Sequence, residues 1–492
     1  MTSHPLGTKA DAIVITSLPQ DTSGPLCLHR LHSALHSVLY AVLNSVLLLS
    51  MSLLSRFPAY SAKPALVGGW GVVTYAELTA LVAEAARALA GLRLPGPAAV
   101  AVVGGHGPAA TAWLLALEAA GHFAVPLAGN PAEHPARLAQ VNAQWVVTVD
   151  GLAWNLLPRI DEASTHPLFV TLGERKAAGL VLFSSGTSGA PKAMVHDFSA
   201  FLATYEERRP NGLPVLALLG FDHIGGLNTL FGCLAAGAPL VVPAAHSPSI
   251  VAATMARHRV AVMPATPTFL NLLLVSGETK AHDLSSLRVI TYGTEPMPEG
   301  LLARLKAEFP QVRFLQTFGT SETGIVRTAS PEGDSRYLRF EGPDHEWKVV
   351  DDELWLRSRT QIIGYLNGGN ERFTPDGWFR TGDKAEQGPD GTVRILGRMG
   401  ELINVGGEKL MPAEVESVVL GIPGVVDCRA RGEANALTGQ TVVVDVVAAV
   451  SDQEALRSAI RIACRERLAR HKIPTRVTFV PSVSGERMKK VR

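Results

Sequence analysis

From about Ala65 onward, apolar and polar positions alternate between two patterns. Short apolar runs of strand length, among them AAVAVVGG, HFAVPL, AAGLVLF, APLVVPA, VAVMPATP and LRVITYGTEP, are bounded by Gly and Pro. Between them lie stretches with apolar residues at helical spacing. Examples are TYAELTALVAEAARALAGL, with Thr74 at the N-cap, and ATAWLLALEAAG, ending at Gly121. Such alternation predicts an α/β fold of parallel sheets covered on both faces by helices. Around Leu354 the texture changes to ELWLRS, DGWFRTGD and GTVRILGR, short strands punctuated by Gly and Asp, which predict a small β-barrel-like part. After Arg398 follows an α+β stretch, AEVESVVLGIPGVV, TVVVDVVAAV, EALRSAIRIACRERLARHKIP and RVTFVPS. The expected organisation is a large N-terminal domain over 51–397, a hinge, and a small C-terminal domain over 398–492.

The first fifty residues break the pattern. Arg30 and Arg56 bracket LHSALHSVLYAVLNSVLLLSMSLLS, which lacks Lys, Arg, Asp and Glu and is long enough to span a bilayer. Interspersed Ser, His and Asn weaken that reading, and a polar leader places the run too far in for a standard signal peptide. Residues 1–50 are read as an apolar extension, amphipathic or surplus, with globular sequence beginning at Met51. Membrane contact through 31–55 stands as the alternative.

Composition narrows the function classes. Forty-five basic residues against forty-four acidic leave a net charge of +1, so no field of one sign favours nucleic acid. Hydrophobic residues make up 47%, enough for a sizeable core. Cys27, Cys233, Cys428 and Cys464 are widely separated, with no metal-ligand or CxxC spacing. That pattern suits a reducing, cytoplasmic setting.

Three clusters carry chemistry. The first, FSSGTSGAPKAMVH, follows an apolar run. Gly186 and Gly189 permit a tight turn whose N–H groups face an anion, while Ser184, Ser185, Thr187, Ser188 and Lys192 add donors and charge. It is not a Walker A loop, because Lys192 follows Pro191 and precedes Ala193. A Ser/Gly-rich surface turn is the bland alternative. The second, TFGTSETG, ends a strand pattern, where ligands collect in α/β sheets. Its Glu322 is suited to Mg²⁺, which prefers oxygen ligands and is often held by one carboxylate plus phosphates. The third, Gly377 to Glu416, includes Asp383 after a Thr-Gly turn, able to accept from both ribose hydroxyls, and Arg398, able to donate to ribose or phosphate.

In this order and at these separations, the clusters resemble the adenylate-forming (AMP-binding) ligases, from about Met51 to Arg492. Acyl-CoA synthetases and amide ligases belong to that family. The resemblance implies ATP- and Mg²⁺-dependent conversion of a small carboxylic acid to an acyl-adenylate. Pyrophosphate is released, and the acyl group passes to CoA or, alternatively, to an amine. It further implies that Ser184–Lys192 wraps the β- and γ-phosphates, Glu322 binds Mg²⁺, and Ser321, beside Gly319 and Thr320, touches the α-phosphate. Gly293, Thr294, Glu295 and Pro296 match the segment beside adenine, and Phe318 fills a stacking slot usually held by Tyr. Asp383 and Arg398 match the ribose ligands. LLGFDHIGGL matches the acyl pocket, with His223 as a gate and Asp222 able to orient an amine or hydroxyl. VGGEK, with Gly406 and Gly407, matches a loop lining the CoA channel, and the C-terminal domain is expected to rotate. Small and apolar residues at Gly226, Met263–Thr266 and Gly293–Glu295 suit an aryl or medium-length acyl group.

Two positions depart from the family pattern. Gly400 stands where a hinge Asp or Lys is usual. The chain ends VSGERMKKVR, with Glu486 at the position of the adenylating lysine, so Lys489 is favoured for that role, with Lys490 the other candidate.

Overall fold

The computed structural model describes residues 53–160, 166–184, 191–331 and 335–483. Residues 1–50, the Ser/Gly-rich segment 185–190, Lys489 and Lys490 lie outside them. At the start, Leu53, Leu54, Phe57 and Tyr60 turn inward from a 3-10 helix, Leu53–Tyr60, and join the main core. Thr74 caps the helix Tyr75–Gly91 in a capping box: its hydroxyl accepts from Glu77 N while Glu77 accepts from Thr74 N.

Two seven-stranded sheets form the large domain. In the first, strands run in the order 313–316, 289–292, 262–265, 215–216, 240–241, 64–68, 71–74, and all neighbours are parallel except the last pair. In the second, a parallel centre of 179–183, 123–127, 99–103 and 145–150 is flanked by antiparallel strands at both edges. The sheets are therefore mixed rather than purely parallel. The antiparallel partner 193–197 follows directly on the phosphate loop, because a short connection joins antiparallel neighbours whereas parallel ones need a crossover. Between the sheets lie helices apolar on all sides, such as Pro108–Ala119, where Trp113, Leu114, Leu115 and Leu117 are fully buried.

The region around Leu354 forms a six-stranded antiparallel sheet, 328–329, 337–340, 393–398, 379–387, 353–358, 345–350, the expected half-barrel. A five-stranded sheet follows, with strands 408–410, 403–405, 439–448 and 425–435 antiparallel and 476–479 joined in parallel. The helices Pro412–Leu420 and Gln453–Arg467 pack on it around a core of their own that includes Val415, Val444, Ile460 and Cys464. Among the described residues no helix is long and apolar enough to cross a membrane. Cys233, Cys428 and Cys464 are buried free thiols.

Candidate active site

The Ser/Gly-rich loop expected to hold phosphates joins two strands, Gly179–Phe183 and Ala193–Asp197, that are almost wholly buried. Its base is clasped twice: Ser184 N donates to Lys192 O at 3.0 Å and Lys192 N to Ser184 Oγ at 3.1 Å. Asn367 reinforces it, accepting from Ala193 N at 2.7 Å and donating to Pro191 O at 3.1 Å. The side chain of Lys192 lies with Nζ 5.0 Å from the centroid of the Tyr365 ring, a cation–π contact.

Glu322 sits in the turn between two short antiparallel strands, Phe318–Thr320 and Gly324–Val326. Thr320 Oγ1 accepts from Thr323 N at 3.0 Å, and Gly324 takes a φ of +78° that closes the turn. A strap, Thr360 to Tyr365, then ties this turn to the phosphate-loop hairpin. Thr360 Oγ1 donates to Thr323 O, Ile362 N donates to Glu322 O at 2.7 Å, and Ile363 N donates to Val195 O at 2.7 Å. At its end the Tyr365 hydroxyl donates to Glu322 Oε1 at 3.2 Å. Burial, the Glu322 charge and this hydrogen bond all hold the phenol proton in place, pushing the Tyr365 pKa far up. Lys192, Tyr365 and Glu322 thus form one row, assembled from segments far apart in sequence.

Asp383 and Arg398 are directly opposite in the register of strands Phe379–Gln387 and Val393–Arg398. Arg398 Nε stands 3.0 Å from Asp383 Oδ1, and Arg398 Nη1 donates to Thr381 O at 2.8 Å. The Asp383 side chain is 8% exposed and that of Arg398 51%, so the carboxylate is the buried partner. Burial raises the Asp383 pKa to about 6, outweighing the opposing pull of Arg398 and Arg372.

Thr266, Gly293–Pro296, Phe318 and Gly319 gather at the C-terminal ends of three adjacent parallel strands, 262–265, 289–292 and 313–316. Thr266 follows the first, Gly293–Pro296 the second, and Phe318 and Gly319 come just after the third. Gly293 approaches Thr317 so closely that a methyl there would lie 2.6 Å from its carbonyl oxygen. Thr294 takes a φ of +69°, an uncommon conformation for a β-branched residue. Glu295 turns aside: its Oε2 accepts from N and Oγ1 of Thr268 at 3.2 and 2.7 Å, at the N-terminus of helix Pro267–Val275. Phe318 packs edge-on against Phe340.

His223 precedes the helix Ile224–Ala235, its Nε2 4.0 Å from Asp222 Oδ1. Gly226 lets that helix close on the preceding loop, since a methyl there would come 1.9 Å from Gly220 O. Gly406 and Gly407, with φ of +64° and +92°, form the exposed tip of the hairpin joining 403–405 to 408–410. Gly400, exposed in a 3-10 turn, has nothing near the position of a side chain.

Sequence reasoning missed Tyr365, Arg372 and Asn367. The signal for Tyr365 was slight, a Gly-Tyr pair ahead of the Asn-Gly-Gly turn, and its role depends on pairing with Met194, far earlier in the chain.

Comparisons with known proteins place the chain as a whole. A model described as "AMP-binding enzyme" matches residues 56–366, and one described as "AMP-binding enzyme C-terminal domain" matches 414–490. A 3-[(3aS,4S,7aS)-7a-methyl-1,5-dioxo-octahydro-1H-inden-4-yl]propanoyl:CoA ligase of Mycobacterium tuberculosis is 30% identical over 315 residues, 61% of this chain and 62% of that protein. An indoleacetate–CoA ligase of Aromatoleum aromaticum is 26% identical over 85% of this chain and 92% of its own length. The chain spans about three fifths of the length of some of these relatives, among them the M. tuberculosis ligase. Among solved structures, the anthranilate CoA ligase AuaEII in complex with anthranoyl-AMP superposes with a TM-score of 0.76 at 21% identity, over 89% of this chain and 95% of that one. The amide bond synthetase McbA from Marinactinospora thermotolerans gives 0.69 at 23% identity, over 89% and 96%. With a family model covering residues 56–366 and the adenylate-forming fold reproduced, this chain belongs to the AMP-binding enzyme family.

Proposed function

We propose that the protein activates a small aryl or medium-length carboxylic acid with ATP and passes the acyl group to CoA. The observation that carries this reading is the strap that sets Tyr365 against both Lys192 and Glu322. It brings the loop suited to a triphosphate and the carboxylate suited to a divalent cation into one site.

In the first half-reaction a carboxylate oxygen attacks the α-phosphorus, the bond to the β-phosphate breaks, and pyrophosphate leaves. Both reactants are anionic, so the site must supply counter-charge and position them. Lys192 and the loop N–H groups hold the β- and γ-phosphates, while Asp383 accepts from the ribose hydroxyls and Arg398 donates beside it. Glu322, the carboxylate of this row, fits a site where Mg²⁺ is held by one protein carboxylate and substrate phosphates; the ion would add counter-charge to the triphosphate. Gly293–Pro296 and Phe318 flank the adenine. In the second half-reaction the CoA thiol gives up its proton and attacks the acyl carbonyl, and AMP departs. The exposed Gly406–Gly407 tip lines the thiol's approach once the C-terminal domain turns about residues 397–400. Lys489 supplies the adenylating cation.

CoA is favoured as acceptor because relatives over much of this chain are named as CoA ligases. An amine acceptor shares every step up to the acyl-adenylate, and the likeness to McbA keeps it as the second reading. The acid enters beside His223, Gly226 and Met263–Thr266, and Asp222 orients any donor group it carries.

Incubation with ATP, Mg²⁺ and a panel of aryl and medium-chain acids, followed by separate addition of CoA and of amines, tests both readings by mass spectrometry. Acyl-CoA formation is expected; amides in its absence would favour the second reading, and no AMP from any acid would contradict both. Lys489→Ala should slow adenylation at least a hundredfold with Lys490→Ala near wild type; the reverse order would move the role to Lys490.

A further inference from the structure

Arg372 is a charged group at the heart of the site to which the reading above gives no task. Its guanidinium lies over the Phe379 ring, Cζ 4.8 Å from the centroid, and turns toward the Gly382–Asp383 corner. A methyl on Gly382 would stand 2.8 Å from Arg372 Nη2 and 3.9 Å from Arg398 Nη1, so both guanidinium groups converge on the same backbone position. Gly382, with a φ of +72°, leaves that position open.

Two carboxylates reach this corner: Asp383, and Glu353, whose Oε1 accepts from Gly382 N at 2.7 Å. Arg398 takes the direct contact with Asp383, at 3.0 Å, and among the described residues no carboxylate pairs with Arg372 within 4 Å. Its neighbour Glu371 folds back over Gly369, where a methyl would be 1.9 Å from Glu371 Oε1. The Arg372 charge nevertheless acts on both Asp383 and Tyr365, the two ends of the nucleotide site. A half-buried guanidinium set over an aromatic ring, with no side-chain partner for its fork among the described residues and a second guanidinium alongside, is arranged for a bidentate anion.

We infer that Arg372 binds the nucleotide phosphate nearest the ribose, so that Arg372 and Arg398 grip the α-phosphate and ribose from one side while Lys192 holds the outer phosphates. This rests on the reading of Asp383 as the ribose ligand. It assigns a phosphate contact to a residue outside the three clusters, in a segment, Leu366 to Phe373, that carries no recognisable nucleotide motif.

Calorimetric titration of Arg372→Met with adenosine, AMP and ATP separates an anion contact from a packing role, because Met keeps contact with Phe379. AMP and ATP binding should weaken tenfold or more, adenosine binding less than twofold, and Arg372→Lys should recover part of the loss. Equal weakening of adenosine and AMP, or AMP binding as in wild type, would overturn the inference. Wild-type protein that binds no nucleotide would be a different result, striking the functional reading and this inference with it.

Discussion

Two hairpins carry most of the proposed nucleotide site, and they are built on opposite plans. In the hairpin 179–197 nearly every strand residue is buried, and the chemistry proposed for it falls to the connecting loop. In the pair 379–398 the strands themselves carry it, since Asp383 and Arg398 meet as register partners. The first is a rigid stalk whose sequence of loop residues matters. The second depends on alignment, where slipping one strand by one residue would turn its charge to the opposite face from its partner.

Breaking the stalk should have the largest effect. Val181 is fully buried and pairs with Val195, so Val181→Asp places an unpartnered charge in the sheet. A loss on the order of 4 kcal/mol or more is expected, seen as a collapsed thermal transition. The strand pair should respond differently. Asp383→Asn keeps the shape and removes an acceptor, so ATP affinity should fall roughly ten- to a hundredfold, about 1.4 kcal/mol per decade, with little change in melting temperature.

The same residue predicts a pH dependence. Its pKa rises from an ordinary 3.8 to about 6 in the folded protein, so folding favours the protonated form. That contribution to stability is complete below the unfolded value and is lost as the pH climbs through about 6. The proposed ribose contact runs the other way, because it would need the carboxylate. ATP affinity should therefore rise between pH 5 and 7 in the wild type and stay flatter in Asp383→Asn, measured by titration calorimetry. Tyr365→Phe, which removes the donor to Glu322 while keeping the ring beside Lys192, should raise the KM for MgATP severalfold and leave the fold intact. The smallest change belongs to Gly400→Ala: with open space and no left-handed φ there, stability should shift by less than about 0.5 kcal/mol.

The same contrast explains what was legible in the sequence. The α/β alternation and the Thr74 cap could be read because local spacing determines them; the first two clusters could be read because loops keep their chemistry contiguous, and the third because its two strands are neighbours in sequence. The antiparallel edges could not: a buried apolar run such as GLVLF looks alike in either direction. Nor could the strap, since Tyr365 acquires meaning only by pairing with Met194 and bonding Glu322, neither of them near it in sequence. Arg372 escaped notice for a related reason. It neighbours Asp383 only because the chain from Phe373 to Phe379 doubles back on itself.

Acid-dependent exchange of labelled pyrophosphate into ATP tests the central claim most directly, because it reports the first half-reaction without regard to the acceptor. Wild-type protein should exchange label only when a suitable carboxylic acid is present, and Lys192→Ala and Asp383→Asn should each lower the rate at least tenfold. Exchange that needs no acid, or that survives both substitutions unchanged, would contradict carboxylate activation at this site.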